Sequence, residues 1–343
     1  MVRISEYTRK PLFLTCLIAV LILAAIFFIY PYIGMKASKD GMVYIYPKTT
    51  VPALQDSLAD KFGASYAGKV ISVLEFERTD LAARVGAYRV SKGDSPLKTA
   101  KRIMSHNQTP VKFTFNNIRT KEQFAERVGT KFMMKKEDLL KTLGDDEICK
   151  SFGCDTNTIV SIFLPDSYEF YWDTEPEKFM NVMYGYYKKW WTKEREAKAA
   201  ALGLSKTQVS IIASIVEEET AKRDEQGIVA RLYLNRLDKN MKLQADPTIK
   251  FALKDFSLKR IGGENLNTIS PYNTYINTGL PPGPIRLPDK VTMEAVLNAP
   301  LHSYIYMCAK EDFSGYHNFT SSYSEHLSNA AKYRAELNRR NIR

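Results

Sequence analysis

The 343-residue chain holds only four cysteines and four histidines, and neither set is spaced to bind a metal. No His-Glu-x-x-His, paired Cys-x-x-Cys, P-loop or dinucleotide fingerprint occurs, which argues against a metal- or nucleotide-dependent enzyme and implies no cofactor. No internal repeat or low-complexity tract is visible. Charge is missing from Pro11 through Met35, and Leu12–Ile29 is apolar apart from Thr15. Such a run suits one transmembrane helix and is too long for a typical signal-peptide core. No Ala-x-Ala-like cleavage site precedes Lys36, so the segment is expected to remain as an anchor. Arg3, Arg9 and Lys10 precede it and Lys36 and Lys39 follow, which mildly favours a cytoplasmic N-terminus. The long remainder has no second hydrophobic span and is expected outside the cytoplasm. Cys16 lies inside the run and reads as a membrane-embedded thiol.

With 45% hydrophobic and 12% aromatic residues, the rest has the composition of a folded protein, long enough for two domains or one with an appendage. The net charge of +11 fits an anionic partner such as phospholipid headgroups or an acidic wall polymer. The basic residues are scattered and the chain is tethered, so nucleic acid is not an expected partner. Cys149 and Cys154 bracket a short polar loop that fits either a disulfide or two thiols. Cys308, in the alternating stretch Tyr304–Ala309, reads as a buried strand residue.

Met42–Tyr46 reads as a strand, Pro52–Lys61 as a helix and Val70–Glu77 as a second strand. Gly86–Val90, Pro96–Ser105 and Val111–Phe115 read as strand, helix and strand of a compact β-α-β unit. Thr120–Val128 is a capped helix and Phe179–Ala201 one long helix stopped by Gly203. Ile228–Leu237 is amphipathic. From Met241 onward the pattern reads as mostly loops and short strands.

Ser205 followed by Gln208 is a capping-box start. At about 100° per residue, Val209, Ile212, Ile215 and Val216 form one apolar stripe that includes Glu219. Glu217 and Glu218 rotate away to either side, with Glu218 on a solvent-facing flank. A carboxyl on the buried face has its charged form disfavoured, which makes it a proton donor at neutral pH. Two later loops carry sugar-binding chemistry. Gln244 and Asp246 lie in Leu243–Thr248, and Asn273 and Tyr275 lie in the proline-fixed loop Ser270–Ile285, beside Tyr272. Amides, hydroxyls and a carboxylate suit hydroxyl and N-acetyl groups, and tyrosine faces suit pyranose rings. One shielded glutamate with such loops points to glycoside cleavage.

These residues resemble the endolytic murein transglycosylases, the YceG-like (MltG) family. The likeness rests on Ile211-Ile-Ala-Ser-Ile-Val-Glu-Glu-Glu-Thr, Asn235-Arg-Leu, Leu243-Gln-Ala-Asp-Pro-Thr, and Ser270-Pro-Tyr-Asn-Thr-Tyr with Gly279-Leu-Pro-Pro-Gly-Pro-Ile. It extends through Tyr304–Ala309, His317-Asn-Phe and Glu325-His326, covering about residues 40–335. Pro288 followed by Asp289, where relatives usually have Gly, and Gln226-Gly227 after Glu225 are departures. The resemblance implies an α+β chain: a cytoplasmic tail (1–11), a single transmembrane helix (12–34), a membrane-proximal region (40–130) with a small LysM-like α/β module (about 82–128), and a mixed α+β catalytic domain (131–343) whose central helix carries the catalytic Glu. It implies a peptidoglycan lytic transglycosylase of the cytoplasmic (inner) membrane, facing the periplasm or exterior. Glu219 would be the acid, Glu217 and Glu225 supporting, and Gln244, Asp246, Asn273 and Tyr275 substrate-binding. Peptidoglycan strands and the bilayer are the expected partners, with cell-wall synthases as further candidates. Two rivals are a hydrolytic muramidase using Glu219 with Asp246, and a non-catalytic peptidoglycan-binding scaffold.

Overall fold

In a computed structural model, residues 9–258 and 261–340 are described; the expected cytoplasmic tail, as far as Thr8, lies outside them. The chain forms two compact units, one from the N-terminus through Lys112 with Glu169–Thr174, the other Phe113–Tyr168 with Glu175 onward. The division falls at Lys112 rather than near 130, so the helix from Lys121 belongs to the second unit.

The first unit begins with α1 (Arg9–Ile33), whose Leu14–Ile33 has a mean hydropathy of 2.6 and no buried residue. A helix this apolar and bare is compatible with a single-pass membrane anchor. Next come β1 (Gly41–Ile45), α2 (Val51–Phe62), α3 (Ala64–Phe76), β2 (Gly86–Val90) and α4 (Pro96–Met104). β1 and β2 pair antiparallel, from Gly41 opposite Val90 to Ile45 opposite Gly86. Residues 41–90 thus form a strand–helix–helix–strand arrangement. β2 takes its sheet partner from upstream, which corrects the β-α-β unit expected with Val111–Phe115.

Val70–Glu77 is not a strand but the second half of α3. Its buried side chains are Tyr66, Ala67, Val70, Ile71 and Leu74, a helical spacing that the window Val70–Glu77 was too short to display. They pack with Leu54, Leu58, Val43, Ile45 and Ile103 into one core.

β3 (Val111–Phe115) leads into the second unit, followed by α5 (Lys121–Gly129), α6 (Lys136–Leu143) and α7 (Asp146–Ser151). β4 (Asp166–Phe170) pairs with β3. Phe113, Phe115, Phe124 and Phe163 are fully or almost fully buried and pack ring on ring, an aromatic core that supports the α5 end of the unit. The long helix expected over 179–201 is two, α8 (Pro176–Trp190) and α9 (Lys193–Ala201). Thr192 breaks the run by capping the second helix, its hydroxyl accepting from the Arg195 N–H.

Beyond them lie α10 (Lys206–Glu219), α11 (Arg223–Asp238), α12 (Asp246–Leu253) and α13 (Lys290–Leu297). A hairpin of β5 (Tyr306–Ala309) and β6 (His317–Thr320) pairs Cys308 with Asn318 and Ala309 with His317. The last element is α14 (Tyr323–Arg339). The region after Met241 is thus richer in helix than its punctuation suggested. No residue of α14 is fully buried, and its start is fixed by Ser322, which accepts from the Glu325 N–H.

α10 is the centre of this unit. The expected capping box is present, with Ser205 and Gln208 satisfying each other's backbone N–H groups. Every residue from Val209 to Val216 is buried, so the helix is enclosed on all sides rather than along one stripe. Ser214 lets the proline loop dock on it: its hydroxyl accepts from the Ile285 N–H and donates to the Ile211 carbonyl. The same loop needs Gly283, where a Cβ would lie 2.4 Å from the Asn157 carbonyl oxygen. Gly227, one of the departures, sits where a Cβ would come within 3.1 Å of Pro300. α14 and the hairpin complete the unit.

Candidate active site

The C-terminal turn of α10 carries three glutamates, and their surroundings differ sharply. Arg119 donates from Nε and Nη2 to Glu218 at 2.9 and 3.1 Å, a bidentate pair. Arg286, itself buried, reaches Glu218 at 2.7 Å, Glu217 at 2.8 Å and the Asn117 side-chain oxygen Oδ1 at 3.1 Å. Glu217 also accepts from the Asp289 N–H at 2.7 Å. The departure at Asp289 therefore leaves intact a backbone contact that any residue could make. Glu218 is not on a solvent-facing flank: only 14% of its side chain is exposed, and it is locked between two guanidinium groups. Burial pushes the Glu217 carboxyl up, with Arg286 opposing.

Among the described residues Glu219 has no guanidinium partner, and its one side-chain hydrogen bond comes from the Tyr233 hydroxyl on α11, 2.6 Å from Oε1. Half-buried at the floor of a cleft, it is pushed up to about 7, first by desolvation and then by the nearby Asp246 charge, with Tyr233 opposing. The helical stripe singled out Glu219, but the surroundings of the three glutamates differ in a way the stripe did not show. All three turn toward protein; Glu219 differs because no cation among the described residues pairs with it directly.

The cleft has a volume of about 830 Å³ and is lined by Glu219, Tyr233, Arg236, Gln244, Asp246 and Tyr275, together with residues of the hairpin and α14. That is room for sugar rings. Asp246 is the first residue of α12 and accepts a short hydrogen bond from the Tyr275 hydroxyl. Burial raises its carboxyl, with Tyr275 opposing. Gln244 adopts a left-handed backbone at φ 52°; its N–H donates to the Thr274 carbonyl and its side-chain oxygen accepts from Arg236 at 3.3 Å. Arg236, an unforeseen member, also donates to the Lys242, Leu243 and Ile305 carbonyls, so one buried guanidinium fixes two cleft walls.

The structure thus brings Glu219, Gln244, Asp246 and Tyr275 to one cleft. Asn273 does not line it. It is fully buried inside its own loop, donating to the Leu266 and Thr268 carbonyls and accepting from the Tyr275 N–H. Asn273→Ala is therefore expected to lower stability by about 1–3 kcal/mol by leaving backbone carbonyls unpaired. Thermal melting checks this. Tyr272 packs on Phe251 away from the cleft.

Glu225 is buried and holds β6 to α11, accepting from the His317 N–H at 2.8 Å and pairing with its ring Nδ1 at 3.0 Å. His317 and His326 line the cleft, although no role had been read for either; their place in the matched motifs was the available signal. Cys308 also lines it and is half-buried rather than core. Cys149 and Cys154 are free thiols, the first buried in α7.

A carboxyl titrating near pH 7 beside a roomy cleft can donate a proton to a leaving oxygen and then take one back. Activity that depends on its acid form is expected to fall as pH rises through about 7. The Tyr233 hydroxyl favours the ionised form, so Tyr233→Phe should move that alkaline limb upward. A pH–rate profile of the two proteins checks both statements.

The cleft thus gathers two raised carboxyls, Glu219 and Asp246, with a tyrosine hydroxyl on each. The chain belongs to the YceG-like family, whose model matches residues 43–332. It is similar to the endolytic murein transglycosylase of Bacillus subtilis (strain 168), 36% identical over 140 residues, 39% of this chain and 38% of that protein. It is also similar to the endolytic murein transglycosylase of Streptococcus pneumoniae serotype 2, 31% identical over 134 residues, 38% of this chain and 24% of that protein. The matched stretch spans well under half the length of these curated relatives. A crystal structure of a YceG-like protein from Listeria monocytogenes superposes with a TM-score of 0.57 at 25% identity, over 84% of this chain and 98% of that one.

Proposed function

We propose that the chain is a membrane-anchored endolytic lytic transglycosylase that cuts the β-1,4 bond between N-acetylmuramic acid and N-acetylglucosamine in peptidoglycan. The observation that carries this reading is Glu219, poised near pH 7 in the cleft while its two neighbours are held by Arg119 and Arg286. Protonated Glu219 donates to the glycosidic oxygen as positive charge builds at the muramyl C1. The carboxylate left behind takes the proton of the muramyl C6 hydroxyl, whose oxygen attacks C1 and closes a 1,6-anhydro ring. The internal nucleophile removes the need for a second catalytic carboxylate. The names of the relatives support the same activity.

Leu14–Ile33 serves as the uncleaved anchor, with the N-terminus in the cytoplasm and the two units outside, where nascent glycan strands emerge. A LysM-like glycan-binding module in the membrane-proximal region, which the family resemblance puts at about 82–128, belongs to the same proposal. Glu217 and Glu225 support the site, while Gln244, Asp246 and Tyr275 engage sugar; cell-wall synthases are the proposed protein partners.

Asp246 gives one specific reason to keep a second reading. It is a second carboxylate in the cleft, close enough for its charge to raise Glu219. Two carboxyl groups flanking a glycosidic bond are the equipment of a hydrolase. Mass analysis of digested, uncross-linked glycan separates the readings. Anhydro-muramyl ends are the expected result. Reducing muramyl ends would make the protein a muramidase, and intact strands would make it a scaffold.

A further inference from the structure

Among the groups that line the cleft, His317 is held with unusual care for a residue with no assigned task. It opens β6 and lines the cleft. Its backbone N–H and its ring Nδ1 both contact the Glu225 carboxylate, at 2.8 and 3.0 Å. That carboxylate is buried and also accepts from the Thr220 hydroxyl at 3.3 Å. Thr220 is the residue after Glu219 and caps α10. A chain of contacts therefore runs from the helix that ends in the candidate acid, through Thr220 and Glu225, to the His317 ring.

The hydrogen bond that one ring nitrogen makes decides the role of the other. A carboxylate accepts, so the Nδ1 that faces Glu225 carries a hydrogen and Nε2 of the neutral ring carries a lone pair. No protein partner for Nε2 occurs among the described residues, and His317 lines the open cleft. An acceptor presented there suits an O–H donor, and a glycan strand is dense in them.

We propose that His317 is a substrate-contacting residue, whose Nε2 accepts a hydrogen bond from a sugar hydroxyl and so sets the strand against Glu219. Glu225 acts through it as a positioning residue. This rests on reading the cleft as a glycan site. The bland alternative is that Glu225 and His317 only fasten β6 to α11.

Two substitutions distinguish these roles. In His317→Asn the amide stands near the position of Nδ1, keeping the Glu225 contact and removing the group at Nε2. In His317→Gln the amide reaches toward Nε2 and gives up Nδ1. The full-length protein acting on uncross-linked glycan strands should lose roughly tenfold in kcat/KM as His317→Asn, with its melting temperature retained. His317→Gln should recover part of that loss relative to His317→Ala. Wild-type kcat/KM for His317→Asn, or equal loss for the Gln and Ala variants, would overturn the proposal. A direct reading needs no change at His317. In Glu219→Gln protein with ¹⁵N-labelled histidine, loaded with the same strands, the His317 Nε2 resonance should shift on binding. Bound strands with an unmoved resonance would overturn the proposal. Failure of the strands to bind at all would remove the glycan reading of the cleft, and this inference with it.

Discussion

Glu219→Gln is expected to lower glycan cleavage by at least about 10²–10⁴-fold, the range that general acid–base catalysis supplies. The amide preserves the shape of the side chain and can still accept from Tyr233, but it can neither donate a proton to a leaving oxygen nor take one from the C6 hydroxyl. The fold should survive, and its stability carries a second signature. A carboxyl raised from 4.5 to about 7 in the folded state makes ionisation costly there. The wild type therefore keeps this contribution below about pH 4.5 and loses it as pH rises through 7, up to an upper limit of about 3 kcal/mol. Glu219→Gln has no such loss. Its melting temperature relative to the wild type should rise between pH 5 and pH 8.

The second large effect belongs to a residue that carries no chemistry. Arg286 binds Glu217, Glu218 and Asn117 in a nearly closed pocket. Arg286→Met should destabilise the protein by about 3–5 kcal/mol, because removing one partner of a buried ion pair leaves the other uncompensated. Here two adjacent carboxylates would lose a shared cation, with only Arg119 left on Glu218. Denaturant unfolding measures the loss. A change below about 1 kcal/mol would mean that solvent relaxes into the site and the network is not structural. Glu218→Gln, which the helical stripe alone marked as harmless, should likewise destabilise the end of α10.

The contrast between these residues explains how much of the site could be read from the chain. Glu219 was legible because its evidence is local: a capping box fixes the start of α10 and helical spacing sets Glu219 one turn beyond Ile215 and Val216. Gln244, Asp246 and Tyr275 were legible as loop chemistry and do reach the same cleft. Arg119 and Arg286 were not, because they meet Glu218 from far upstream and far downstream, and nothing near either marks it as a partner. Asn273 was misplaced for a related reason. An asparagine in a tight loop satisfies backbone groups as readily as it meets a ligand, and only the burial of its side chain decides between the two. α3 shows the same limit in the fold, since Val70–Glu77 alternates over a few residues while the helical period appears only once Tyr66 and Ala67 are included.

The central claim is that Glu219 is held as a neutral acid near physiological pH by its burial beside Asp246 and its lack of a guanidinium partner. Selective ¹³C labelling of the glutamate side chains, with Glu219→Gln to assign the resonance, lets that one carboxyl be titrated directly by NMR. A midpoint near pH 7 is the predicted result. A midpoint near 4.5, the ordinary value for a solvated glutamate, would contradict the account: Glu219 would then be ionised at neutral pH and could not be the proton donor.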